Sequence, residues 1–172
     1  SEDAMTGAAI GMALAGLRPI HVHIRMDFLT LAMNQLINVA AKSRYMYGGR
    51  VNVPLVVRAR IGKSWGQGAQ HSQGGHAMFM HLPGIKVVAP STPYDAKGLI
   101  KSAIREDNPV CFLEGEMLYN TKGEVPEEEY LIPLGKADLK REGDHCSIIT
   151  SGKMALVAMQ AADQLAKDGI RV

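Results

Sequence analysis

This sequence lacks most of the features that quickly identify a function. Its 172 residues include only two cysteines, Cys111 and Cys146, too few and too far apart for a disulfide framework or a Cys-x-x-Cys centre, a scarcity that fits a reducing compartment. Neither sign of charge dominates: 19 Lys+Arg stand against 17 Asp+Glu, a net charge of +2. With no dense basic run, the electrostatic footprint of a nucleic-acid binder is missing. The longest low-charge stretch near the start, Ala4 to Leu17, is rich in alanine and glycine and falls short of the ~20 residues a membrane span needs. No span and no signal peptide are expected.

Common nucleotide motifs are missing too. Gly62-Lys63-Ser64 resembles the end of a phosphate loop, but Val57 stands where that loop requires glycine. Gly66-Gln67-Gly68 continues into Gln70-His71, without the third glycine and helix start of a dinucleotide fingerprint. His71, His76 and His81 recur every five residues, a step of ~500° that spreads them around a helix instead of forming a metal face. There is also no nucleophile elbow and no pair of carboxylates at working distance.

What remains is globular. Hydrophobic residues make up 47% and charged residues 21%, and the length suits one domain plus an appendage. Ser1-Glu2-Asp3 reads as a helix start, with acidic side chains where the macrodipole favours them; no Met opens the chain, so a piece of a longer protein is expected. The small apolar residues Ala4, Ala8, Ala9, Met12 and Ala13 predict a tightly packed helix ending at Gly16. Ile20 to Ile24 alternates like a strand, and Leu29, Met33, Leu36, Ile37 and Ala40 have helical spacing within Phe28 to Tyr47. Further strands are predicted at Val53–Ala59, Ile85–Ala89 and Val110–Leu113, with an amphipathic helix at Tyr94–Arg105. Strands separated by helix-length segments imply an α/β fold with a mostly parallel sheet flanked by helices. We expect this first domain over residues 1–120. A polar, acidic linker follows over 121–145, and the start of a second α/β domain over 146–172, with β patterns at Tyr130–Leu134 and Cys146–Thr150, a helix at Lys153–Lys167 and a strand beginning at Ile170.

Three side chains stand out as candidates. His71 lies in a 14-residue loop, Gly62 to Gly75, holding five glycines, Trp65 and three glutamines; such a loop is costly to order and is more often functional than accidental. Phe28 stands at a strand-to-helix corner after Met26-Asp27, on the carboxyl edge of the sheet where α/β folds place ligands. Glu2, taken alone, is an ordinary first-turn acid.

Six segments, in order, carry a resemblance: Ser1-Glu2-Asp3-Ala4-Met5-Thr6-Gly7, Gly16-Leu17-Arg18-Pro19-Ile20, Met26-Asp27-Phe28, Gln70-His71-Ser72-Gln73, Pro83-Gly84-Ile85-Lys86-Val87-Val88 and Pro90-Ser91-Thr92-Pro93-Tyr94-Asp95-Ala96-Lys97-Gly98-Leu99. Together they resemble the β subunit of thiamine-diphosphate-dependent 2-oxo acid dehydrogenase E1 components, with a transketolase-like pyrimidine-binding domain and the join to a transketolase-type C-terminal domain.

The resemblance implies oxidative decarboxylation of a 2-oxo acid, pyruvate foremost, with acyl transfer to a lipoyl-bearing E2. A branched-chain or acetoin-type β subunit, a one-chain transketolase-like protein and a non-catalytic scaffold subunit are the alternatives. It implies thiamine diphosphate shared with an α subunit that supplies magnesium, in an α2β2 heterotetramer. The compartment would be the cytoplasm in a bacterium, or the mitochondrial matrix or a plastid in a eukaryote. By position, Glu2 matches the glutamate bonded to N1′ of the aminopyrimidine, where a carboxyl promotes proton removal from the thiazolium. Phe28 matches the aromatic packed on the aminopyrimidine, and His71 the active-site histidine. The carbonyl positions Leu55, Ala103, Ile104, Glu106 and Asn108 match a potassium site of pyruvate-type members. Those members carry a mostly apolar and hydroxyl strand where this chain has His21, His23 and Arg25.

Overall fold

A computed structural model describes residues 1–62 and 66–172. Lys63 and Ser64 of the phosphate-loop-like stretch, and Trp65 of the glycine-rich loop, lie outside the described residues. Four parallel strands, β1 (Ile20–His23), β2 (Val56–Ile61), β3 (Lys86–Val88) and β4 (Val110–Gly115), form one sheet in the order β1-β2-β4-β3. This is the α/β architecture expected from the alternation of strands and helices.

The two inner strands explain the long apolar runs. A strand covered on both faces has no wet side on which to place polar residues. Val57 and Ala59 of β2 and Cys111 and Leu113 of β4 face one core, shared with Ala9, Ile10 and Ala13 of α1 (Glu2–Leu14) and with Leu29 and Leu36. Val56, Val110 and Phe112 point the other way, onto Val88 and onto Ala103 of the long amphipathic helix at Pro93–Arg105. Burial holds the Cys111 thiol protonated, its pKa pushed up to about 12, so it acts as a small core residue.

The segment predicted as one helix from Phe28 winds with three different pitches. A 3-10 turn covers Met26–Ala32, a π turn Gln35–Ala40, and α2 covers Ala41–Met46. At its start the Thr30 hydroxyl donates to the Asp27 carbonyl at 2.8 Å, a local bond that competes with regular α-helical pairing. A short helix that the periodicity did not predict, α3 (His76–Met80), follows the glycine-rich loop. The amphipathic helix, α4, starts with a full capping box: Thr92 accepts from the Asp95 amide, and Asp95 accepts from the Thr92 amide at 3.0 Å.

Residues 121–134 run as a strap over α4. The Lys97 ammonium donates to the carbonyls of Pro126, Glu127 (3.2 Å) and Glu128 (3.1 Å), and Tyr130 stacks on Tyr94 with centroids 4.4 Å apart. Gly98 makes this seat possible, since a Cβ there would come within 2.7 Å of Ile132 and Tyr130 side-chain atoms. Three expectations are corrected here: Tyr130–Leu134, Cys146–Thr150 and the stretch from Ile170 form no strands. Tyr130–Leu134 lies against a helix, where its backbone has no ladder to join; an alternating pattern becomes a strand only beside a partner strand. The helix expected at Lys153–Lys167 is present as α5. The end of the chain pairs with residue 145: the His145 amide donates to the Arg171 carbonyl and the Arg171 amide to His145 Nδ1, both at 3.0 Å.

Gly84 has φ +97°, and a Cβ there would collide with the backbone carbonyl of Ala41. Left-handed backbone costs a non-glycine residue about 1–2 kcal/mol, and overpacking against rigid backbone adds about 1–3 kcal/mol. Gly84→Ala is therefore expected to destabilise the domain by about 2–5 kcal/mol in denaturant unfolding. A loss under 0.5 kcal/mol would show that this turn is free to move.

Candidate active site

The parallel strands β1 and β2 end at the same edge of the sheet, and the chain leaving each one carries a candidate side chain there. Phe28 lies in the 3-10 turn that follows β1, and His71 ends a second 3-10 turn, Ala69–His71, that follows β2. Their rings meet edge to face, with centroids 5.3 Å apart and planes at 79°, the geometry the aromatic quadrupole favours. Both side chains are half-buried, so each keeps a surface toward solvent. Two residues singled out separately in the sequence thus form one contact.

Glu2 opens α1 and is half-buried. Its carboxylate accepts no hydrogen bond from the described residues, yet its charge favours the protonated form of the His23 imidazole. Burial and the neighbouring His21 act the other way and prevail, so His23 is held neutral with a pKa near 4. The His21 and His23 rings also meet edge to face, with centroids 4.3 Å apart. Both Nε2 atoms are buried and lack hydrogen-bond partners among the described residues.

Behind these residues lies a buried charge cluster. Arg25 pairs with Glu116, both almost fully excluded from solvent. Arg60 reaches the other oxygen of Glu116 at 3.4 Å and donates from Nε to the Ile24 carbonyl at 3.0 Å. Further along the same edge, Glu114 accepts from Arg58 at 2.7 Å and from the Tyr119 hydroxyl at 3.0 Å. A cavity of about 210 Å³ opens beside Val22, His23, Arg58, Arg60 and Tyr119.

The five positions matched to potassium gather where α4 turns into β4. The Leu55 carbonyl accepts from the Val110 amide at 2.9 Å, and the Ala103 carbonyl from the Glu106 amide at 3.3 Å. Arg18 donates to the Ile104 carbonyl at 3.0 Å and the Glu106 carbonyl at 3.1 Å, and pairs with Asp107 at 2.6 Å. The Asn108 side-chain amide donates to the Glu106 carboxylate at 2.7 Å. Among the described residues, no three His, Cys, Asp or Glu side chains converge to hold a metal ion.

Sequence reasoning named Arg25 only as a departure, and did not foresee its contacts with Glu116 and Gln67 or those of Asp27 with Gln73. One signal was available: the apolar run Val110–Leu113 ends in two carboxylates, Glu114 and Glu116, while the segments leaving β1 and within β2 carry Arg25, Arg58 and Arg60.

Residues 1–122 match the profile of the transketolase pyrimidine-binding domain. The chain belongs to that family. Residues 135–172 match the transketolase C-terminal domain, so this pyrimidine-binding domain is followed by part of a second conserved unit. Over 99% of the chain it is 50% identical to the β subunit of an acetoin:2,6-dichlorophenolindophenol oxidoreductase from Cupriavidus necator, covering 50% of that protein. It is 48% identical to the 2-oxoisovalerate dehydrogenase β subunit of Bacillus subtilis (99% of this chain, 52% of that one). It is 47% identical to the mitochondrial pyruvate dehydrogenase E1 β subunit of Bos taurus (99% and 48%). The chain thus spans about half the length of these curated relatives. A solved structure described as a split-gene transketolase, inactive β4 tetramer, superposes with a TM-score of 0.80 at 22% identity, over 99% of this chain and 52% of that one; the fold is shared.

Because the buried imidazole of His23 has its pKa lowered to about 4, the unfolded chain binds more protons than the folded one between about pH 6.5 and 4, and stability falls as pH drops through that window. His21 and His76, lowered by burial, add the same sign. His23→Phe is expected to flatten part of this decline in melting temperature. An unchanged slope from pH 7 to 4 would show that His23 takes no part in it.

Proposed function

We propose that this pyrimidine-binding domain belongs to the β subunit of a thiamine-diphosphate-dependent 2-oxo acid dehydrogenase E1. Such a subunit works with an α subunit in an α2β2 assembly and passes the acyl group to a lipoyl-bearing E2. The observation that carries this reading is the contact between Phe28 and His71 at the carboxyl edge of the sheet, in a chain that matches E1 β subunits along nearly its whole length. Pyruvate is the proposed substrate, with branched-chain 2-oxo acids and acetoin as the other candidates. The compartment proposed is the bacterial cytoplasm, or an organelle matrix in a eukaryote.

The residues present suit the pyrimidine half of thiamine diphosphate. Glu2 offers a carboxylate that no described residue occupies, which can share a proton with a ring nitrogen, and Phe28 offers an aromatic face to a planar heterocycle. Thiamine diphosphate, when bound, would supply the electron sink that lets a 2-oxo acid lose carbon dioxide. Glu2 holds the proton at the ring nitrogen, Phe28 fixes the plane of the ring, and His71 moves protons during decarboxylation or acyl transfer. Magnesium and the diphosphate are assigned to the α subunit. Potassium at Leu55, Ala103, Ile104, Glu106 and Asn108 remains part of the proposal. Arg18 donates to two of those carbonyls, so potassium there would have to use their second lone pairs beside a positive charge.

With the full-length β chain reconstituted with its α partner, Glu2→Gln should cut decarboxylation on the order of 10²–10⁴-fold, the usual worth of a positioned acid–base group, while the melting temperature stays near that of the wild type. Turnover within threefold of the wild type would remove Glu2 from the mechanism.

Phe28→Ala gives an independent reading by calorimetry. Loss of an aromatic face from a bound ring is worth about 1–3 kcal/mol, so cofactor affinity should fall by roughly ten- to a hundredfold. A lowered melting point with an unchanged dissociation constant would make Phe28 a core ring.

A further inference from the structure

His71 is placed at the site with little to hold it. Its imidazole takes no hydrogen bond from the described residues, and its backbone amide closes only a local turn, onto the Gly68 carbonyl at 3.2 Å. The loop on its amino-terminal side includes Gly66 and Gly68, at φ +71° and +82°, and such glycines lose much conformational freedom on ordering. A proton-handling group must nevertheless be held to a fraction of an ångström.

The restraint comes from three residues at the exit of β1, Arg25, Asp27 and Phe28. Arg25 donates from Nη2 to the side-chain carbonyl of Gln67, on one side of His71. Asp27 Oδ1 accepts from both the amide (3.3 Å) and the side-chain nitrogen (2.8 Å) of Gln73, on the other side. Between them Phe28 meets the His71 ring itself. The anchors are stiff: Arg25 is buried against Glu116, which Arg60 also contacts, and Asp27 is buried. The groups they grip belong to the exposed glutamines Gln67 and Gln73.

We propose that Arg25 and Asp27 are positioning residues that clamp the loop on both sides of His71, through Gln67 and Gln73, and so fix the imidazole against Phe28. This rests on the reading of His71 as a proton-handling residue. It gives a role to Arg25, one of the departures from the strand composition of pyruvate-type subunits: besides pairing with Glu116, it holds the loop.

The test uses the reconstituted enzyme with full-length chains, and replaces the exposed glutamines, so that Arg25 keeps Glu116 and Asp27 keeps the Gln73 backbone amide. In Gln67→Leu, amide hydrogen exchange across residues 66–73 should accelerate at least severalfold and kcat should fall by roughly ten- to a hundredfold, the scale of a small misplacement of a catalytic group, with KM nearly unchanged. Gln67→Glu, which can still accept from Arg25, should restore both. Gln73→Ala should reproduce the Gln67→Leu effects. In a His71→Ala background, Gln67→Leu should cost nothing more, because the two changes act through one group. Unchanged exchange in Gln67→Leu, or a kcat loss repeated in full without His71, would overturn the clamp. If His71→Ala by itself turned over like the wild type, the proposed role of His71 would fall, and the exchange data alone would decide the clamp.

Discussion

The arrangement described above depends on keeping two opposite charges out of water. Arg25 leaves β1, Glu116 leaves β4, and they meet where almost no solvent reaches. Removing one partner of such a pair typically costs about 3–5 kcal/mol, because the other is left buried and uncompensated. The fold surrounds the pair with further polar groups. Arg60 of β2 approaches Glu116 and also holds the Ile24 carbonyl, so the carboxyl ends of three neighbouring strands are joined by ionic and hydrogen-bonded contacts. The apolar faces of the sheet position its body, and this cluster positions its working edge.

The candidate groups divide along that edge by charge state. Glu2 presents a carboxylate, while burial keeps the nearby His23 neutral. A neutral imidazole does not form an ion pair with the Glu2 carboxylate near it. His71 and Phe28 form a separate ring contact, flanked by the buried Arg25 and Asp27 through Gln67 and Gln73. The carboxylate and the two rings come from different parts of the fold: Glu2 from the start of α1, Phe28 from the turn after β1 and His71 from the turn after β2.

The fold was legible where burial is two-sided or periodic. The apolar runs of β2 and β4 and the amphipathic spacing of α4 and α5 allow little else. The pitch changes between Met26 and Met46 were not legible, because they depend on the Thr30 bond to a carbonyl one turn back and on packing under the sheet. Tyr130–Leu134 misled because alternation encodes a face but not a neighbour. At the site, Glu2 was recognisable only through the resemblance, since its position suits any helix start. Phe28 and His71 drew notice from their own surroundings. The pairings of Arg25 with Glu116 and of Asp27 with Gln73 join residues distant in the sequence, and no spacing rule reaches that far.

Among the described residues β1 pairs with β2 alone; Ile20 and Val22 on one of its faces and Ile24 just after it are exposed to 44%, 57% and 71%. Unpaired backbone groups beside aliphatic side chains are a template for adding another strand. This stretch of polypeptide in isolation would carry a colloidal liability at concentration, and a charged residue substituted for Val22 or Ile24 is the change best suited to keep it dispersed.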